Sequence, residues 1–121
     1  MMSGNDIQER AFQFACRIVK LHQTLSKRNS SARPLLSQVL RAGTGIGANL
    51  QEAEAGQSKP DFISKCRVSL KEARETLYWL RILAETKIVR PSRLTLIIKE
   101  ADEIVAILTT IVKNASTSPA R

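Results

Sequence analysis

The segment from Leu36 to Leu83 constrains the fold more than any other part of the chain. Two amphipathic patterns, each with apolar residues three and four positions apart, flank one short break at Gly56, Gln57, Ser58, Lys59 and Pro60. The first seam, Leu36, Leu40, Gly43, Gly47, Leu50, becomes small in its middle, where Ala42, Gly43, Gly45, Gly47 and Ala48 cluster. The second, Ile63, Cys66, Leu70, Ala73, Leu77, Leu80, Ala84, is built of larger residues. A break this short turns the second helix back along the first. Glycine inside a helix costs about 1 kcal/mol against alanine, so three of them predict a close approach by another helix.

The turn has its own signals. Gly56 suits a helix C-cap, while Ser58, with Asp61 three residues on and Pro60 in the first turn, suits a helix start. Outside the hairpin, Ile7, Ala11, Phe14, Ile18, Leu21 and Leu25 trace a further seam behind an Asn5 cap, widened on one flank by Phe12, Ala15 and Val19. Arg28, Asn29, Ser30 and Ser31 then offer caps before Pro34, which is tolerated only in a first helical turn. After Pro91, Leu94, Ile98, Ala101, Val105, Leu108 and Val112 form a last seam, with a second strip at Ile97, Ile104, Ile107 and Ile111.

These patterns predict an all-α, up-down-up-down antiparallel four-helix bundle, a single domain over residues 1–121. The helices are expected at about 6–27, 32–56, 59–86 and 92–114, with a disordered Ser, Thr, Pro and Ala-rich tail at 115–121. At 43% hydrophobic but 4% aromatic, the core must come mainly from Leu, Ile, Val and Ala. Apolar excess on helices 1 and 4 is expected to face other subunits.

Cys16 and Cys66 sit at helical spacing among apolar neighbours and read as buried or half-buried thiols in a reducing compartment. The start, MMSGNDIQER, is polar and acidic where a secretory signal would be apolar, and no apolar run nears the roughly 20 residues of a membrane span. The expected location is the cytoplasm, with no membrane partner.

Nineteen Lys and Arg against 11 Asp and Glu give a net charge of +8 and a pI near 10.1, enough to attract polyanions. Two stripes carry the candidates for nucleic-acid contact: Arg10, Arg17, Lys20 and Lys27 on helix 1, and Arg67, Lys71, Arg74 and Arg81 on helix 3, with Tyr78 offering a stacking ring. A separate polar seam is expected inside the hairpin. Arg41, Gly45, Asn49 and Glu52 share one face of helix 2, and antiparallel geometry sets Arg41 opposite Glu75, with Glu72 beside it. Such a network fixes helix register more often than it performs chemistry.

No arrangement points to catalysis, a cofactor or a metal. Gly43, Thr44, Gly45, Ile46, Gly47 has neither the preceding strand nor the lysine of a phosphate loop. Glu72 with Glu75, or Glu52 with Asp61, lack the Glu-x-x-His partners of a di-iron bundle, and His22 is the sole histidine. Ser64, Ser69 and Thr76 have no histidine base, so a non-enzyme is expected.

The run from Arg41 to Ala53, with Ser58, Asp61, Phe62 and the run from Leu70 to Leu80, resembles the four-helix bundle proteins also called large-subunit rRNA intervening-sequence proteins. The resemblance covers about two-thirds of the chain. It implies a small bacterial bundle assembled as a ring-shaped homopentamer, related to the basic accessory protein of diversity-generating retroelements, which binds a reverse transcriptase and nucleic acid. Gly45 departs from the family pattern, which has a serine there. Two functional classes follow: a homo-oligomeric interaction or scaffold protein that also docks a protein partner, and a basic accessory protein that binds RNA or DNA.

Overall fold

A computed structural model describes residues 4–55 and 58–117, with side chains from Asp6 onward. Four helices follow one another: α1 Gly4–Arg28, α2 Arg33–Glu54, α3 Lys59–Glu85 and α4 Thr95–Thr117. Single 3-10 turns at Ser30–Ala32 and Pro91–Arg93 precede α2 and α4, and there is no strand among the described residues. Pro91 opens such a turn in place of a helix, which moves the start of α4 from the expected 92 to Thr95. At its other end α4 runs through Thr117, so the tail expected to be disordered from 115 is helical for three residues more; 118–121 lie outside the described residues.

Local chemistry explains the boundaries. Ser58 is the N-cap of α3, its hydroxyl accepting from the Asp61 amide at 3.3 Å. The Asn29 side chain accepts from the Ser31 amide at 3.0 Å and starts the turn into α2, where Pro34 sits in the first helical turn. α3 stops at Thr86, and Lys87 takes the left-handed conformation (φ 59°) that closes the helix end. The Gly56 cap and the Asn5 side chain lie outside what is described.

Neighbours in sequence are neighbours in space. α1 packs on α2, α2 on α3 and α3 on α4, while α4 closes back on α1 along the loosest of the four seams. α1 and α3 therefore stand diagonally opposite. Phe14, Ile18, Leu36, Ile46, Leu80, Leu83, Leu94, Ile104 and Leu108 are fully buried, an almost wholly aliphatic centre. Ile97 and Ile104 of the second α4 strip belong to this core, and Ile107 and Ile111 are half-buried against it, so most of that strip serves folding. Among the described residues two polar side chains, Ser69 and Thr76, are fully enclosed, and both are satisfied. Ser69 donates to the Ile46 carbonyl across the α2–α3 seam at 2.8 Å, and Thr76 to the Glu72 carbonyl at 2.7 Å.

The three glycines of α2 differ in what they allow. A Cβ on Gly43 would lie 2.9 Å from Ile18 Cγ1 and 3.0 Å from Cγ2, so α1 approaches α2 where only glycine fits. At Gly47 the nearest atoms belong to Ala11 at 3.6 Å, ordinary contact. At Gly45 the neighbour is the Glu72 carboxylate of α3, 2.8 Å from a Cβ. The expected close approach of a helix is thus required at one position of the three.

Candidate functional site

The hairpin places a charged network on the outer edge of the α2–α3 seam. Arg41 is paired with Glu75 through Nη2 and with Glu72 through Nη1 at 3.2 Å, while the Trp79 indole N–H donates to the same Glu75 oxygen at 3.1 Å. Arg41 also donates to Gln38 on its own helix at 3.0 Å. The Trp79 hydrogen bond, then the Arg41 guanidinium, hold the Glu75 carboxyl below the usual carboxylate range against the opposing effect of desolvation. Half the Arg41 side chain remains in water, so the network is a surface clamp and not a buried ion pair.

The other two residues of the expected seam do not join it. Asn49 turns back to donate to the Gly45 carbonyl at 2.8 Å, and Glu52 is exposed. Both are on the same helix as Arg41, but a shared helix face does not bring their short side chains to α3. At Gly45 the missing side chain leaves room that the Glu72 carboxylate occupies.

The basic candidates separate into two places. On α3, Arg67, Lys71, Arg74 and Arg81 are exposed, and Tyr78 among them is 59% exposed, its ring edge-to-face with Trp79 at 5.3 Å between centroids. Arg67 donates to the Ser116 hydroxyl of α4 at 3.1 Å. On α1, Arg17, Lys20 and Lys27 are exposed, but Arg10 is not available as a free cation. Its guanidinium holds Glu100 at 3.0 and 2.6 Å and Glu103 at 2.9 Å, two acids from α4 that raise its pKa. A stripe without acids along one helix is neutralised at Arg10 by the helix beside it. Because α1 and α3 are diagonal, the two stripes face different sides of the bundle.

Among the described residues, Phe12, Val19, Val68 and Leu96 are large aliphatic or phenyl side chains left exposed, Val68 on α3 to 39%. Phe12 is 57% exposed and Val19 38%, two turns apart on α1, and Leu96 on the first turn of α4 is 71% exposed. Cys66 is buried and Cys16 half-buried, neither in a disulfide; burial, with the Glu54 charge adding to it, pushes the Cys66 thiol up. Among the described residues no group of three or more His, Cys, Asp or Glu is placed to hold a metal, and none of the helices is long and apolar enough to cross a membrane. His22 is half-buried on α1.

With this geometry in view, residues 4–110 match the family described as 23S rRNA-intervening sequence protein. The chain belongs to that family. Its fold is similar to a crystal structure of a protein of unknown function from the S23 ribosomal protein family of Bacteroides thetaiotaomicron, at 40% sequence identity and a TM-score of 0.84. The similarity covers 93% of this chain and 99% of that one. A search among curated proteins gave no match. The helical bundle of this family member is thereby shared with a solved relative, and neither description carries an activity.

Several contributors give no signal in the sequence pattern. Glu100 and Glu103 give no local sign that they meet Arg10, about 90 residues away. Trp79, an apolar ring by its place on α3, contributes its N–H as a donor in the Arg41 network. Arg28 at the end of α1 and Arg90 and Arg93 in the α3–α4 connection fall outside any periodic stripe, and only the folded chain brings them together.

Proposed function

We propose that this family member is a non-enzymatic, homo-oligomeric interaction protein of the cytoplasm. The observation that carries this is the outward pair Phe12 and Val19 on α1, a large aromatic and a β-branched residue left in water on one helix face. A chain that buries Phe14 and Ile18 so completely has no folding reason to leave such groups outside. A second copy or a partner protein removes them from water at roughly 25 cal/mol per Å² of apolar surface. The family resemblance supports a pentamer, and the free thiols support a reducing compartment. Retention of soluble chain on immobilised copies of the same chain tests the reading. Phe12→Ser with Val19→Ser is expected to abolish retention without loss of helicity, and unchanged retention of that variant would exclude this face.

A second reading, binding of RNA or DNA, is favoured by Tyr78. Its ring is exposed among Lys71, Arg74 and Arg81, the arrangement that pairs a stacking platform with phosphate contacts, and the resemblance to the retroelement accessory protein points the same way. Tyr78→Ala is expected to weaken binding of a single-stranded oligonucleotide; equal binding by the variant removes the observation that favours this reading.

A further inference from the structure

The positive charge of this chain is gathered at one end of the bundle. The α1–α2 and α3–α4 connections lie at the same end and are tied together, the Asn29 amide donating to the Ile88 carbonyl at 2.9 Å. Residues 20–36 and 81–98, which form this end, contain Lys20, Lys27, Arg28, Arg33, Arg81, Lys87, Arg90 and Arg93 against the single acid Glu85. That is eight basic groups to one acidic, +7 of the total +8, while the remaining 11 basic and 10 acidic residues nearly cancel. All eight basic residues are exposed.

These charges line a recess as well as a surface. One concavity runs between the connections over Leu25, Arg28, Asn29, Arg90 and Arg93. A second continues it along the α1–α4 seam past Arg17, Lys20 and Leu96, and the two share Leu25 and Arg93. Five cations, Arg17, Lys20, Arg28, Arg90 and Arg93, thus border one trough whose lining includes no acid, and among the described residues none of the five makes an ion pair. Arg17 and Arg28 are eleven residues apart on α1, about 16 Å at the helical rise, a length that spans several phosphates at about 3.4 Å of duplex per phosphate.

We propose that this trough binds the phosphate backbone of a nucleic-acid strand. This rests on the nucleic-acid reading above and moves its principal contact surface from the α3 stripe to the connection end. A linear polyanion matches a row of cations in a groove, where arginine forks meet phosphate oxygens in pairs. A membrane surface fits less well, because the tip between the connections presents Ser30, Ser31, Pro34, Pro91 and Ser92, and the exposed Leu96 is a single side chain set back on the trough wall, too little apolar surface to insert. Leu96 stands on the trough wall, where it can pack against a ribose or base. The contacts the trough offers are dominated by cations that meet phosphate, and the Asn29 side chain is already taken by the Ile88 carbonyl and the Ser31 amide, so the binding is steeply salt-dependent.

The test compares three forms of the full chain for binding a short labelled RNA, single-stranded and duplex, across a salt series. The trough variant is Arg28→Ser, Arg90→Ser, Arg93→Ser; the stripe variant, Arg67→Ser, Lys71→Ser, Arg74→Ser, removes the same charge from α3. The trough variant is expected to bind about tenfold or more weaker, with the slope of log affinity against log salt reduced by about 2, while the stripe variant changes little. Loss in the stripe variant alone would overturn the proposal and leave the nucleic-acid reading standing. No RNA binding by the unaltered chain at low salt would sink both. Equal affinity for polyglutamate, or binding to phosphatidylserine vesicles without RNA binding, would also overturn it. Circular dichroism of each variant confirms that the helices remain.

Discussion

Arg10 on α1 forks the Glu100 carboxylate of α4, Nε at 3.0 Å from one oxygen and Nη2 at 2.6 Å from the other, and the same Nη2 lies 2.9 Å from Glu103. The contact bridges the seam where the first and last helices meet with the fewest neighbours. It is partly shielded, with Arg10 30% and Glu100 22% exposed, so the fork is worth more than an open surface pair and less than a buried one. Arg10→Ala is expected to lower stability by about 1–2 kcal/mol, read as a fall in the urea midpoint at constant slope. Arg10→Lys should recover only a minor part, because an ammonium cannot hold both oxygens in one plane. An unchanged midpoint for Arg10→Ala would show that the seam closes without it.

The glycines of α2 give a test with opposite signs. Gly43→Ala drives a methyl into the fully buried, branched Ile18 and is expected to destabilise by about 1–3 kcal/mol. Gly47→Ala meets only ordinary contacts with Ala11 and should stabilise by about 0.5–1 kcal/mol through helix propensity. Thermal unfolding of the two single variants reads the difference directly. Equal shifts would mean that the close approach at Gly43 has no energetic consequence.

Acid should weaken the α2–α3 clamp in a definable direction. The Glu75 carboxyl is held low in the folded chain, chiefly by the Trp79 N–H and then by Arg41. Its contribution to stability is therefore complete above the unfolded glutamate pKa, about 4.3, and disappears as pH falls through the lower folded value. Trp79→Phe removes the donor and is expected to raise the Glu75 pKa toward the ordinary value, measurable by carboxyl NMR titration. Glu75→Gln should flatten the acid side of the stability curve below pH about 4.3, and an unaltered curve would contradict the assignment.

Lys87 closes α3 in the left-handed region, at φ 59°. Glycine adopts that conformation without a Cβ clash, so Lys87→Gly is expected to stabilise the fold by about 0.5–1 kcal/mol, seen as a rise of a few degrees in Tm. A lower Tm would mean that the lysine stem contributes packing there.

The architecture was legible because each helix repeats one apolar seam every three to four residues and the breaks carry their own chemistry: Ser58 and Pro60 start α3, Asn29 and Pro34 lead into α2. The position of Arg41 opposite Glu75 was legible for the same reason, since a short hairpin fixes antiparallel register. Arg10 was not, because its partners lie at the far end of the chain and the α1–α4 register depends on the whole bundle closing. Asn49 shows a different limit: helix phase places it near the seam, but an amide that reaches the Gly45 carbonyl one turn back on its own helix has no need of the neighbouring helix. The basic trough has no periodic signature, because Arg28 ends α1 and Arg90 and Arg93 lie in the aperiodic α3–α4 connection.

The most direct test of the account is the mass of the intact chain by sedimentation over a wide concentration range. The exposed Phe12 and Val19 lead us to expect a discrete multiple of the 13.4 kDa chain, reduced toward a single chain by Phe12→Ser with Val19→Ser. A mass of 13.4 kDa at every concentration, identical in the double variant, would contradict it.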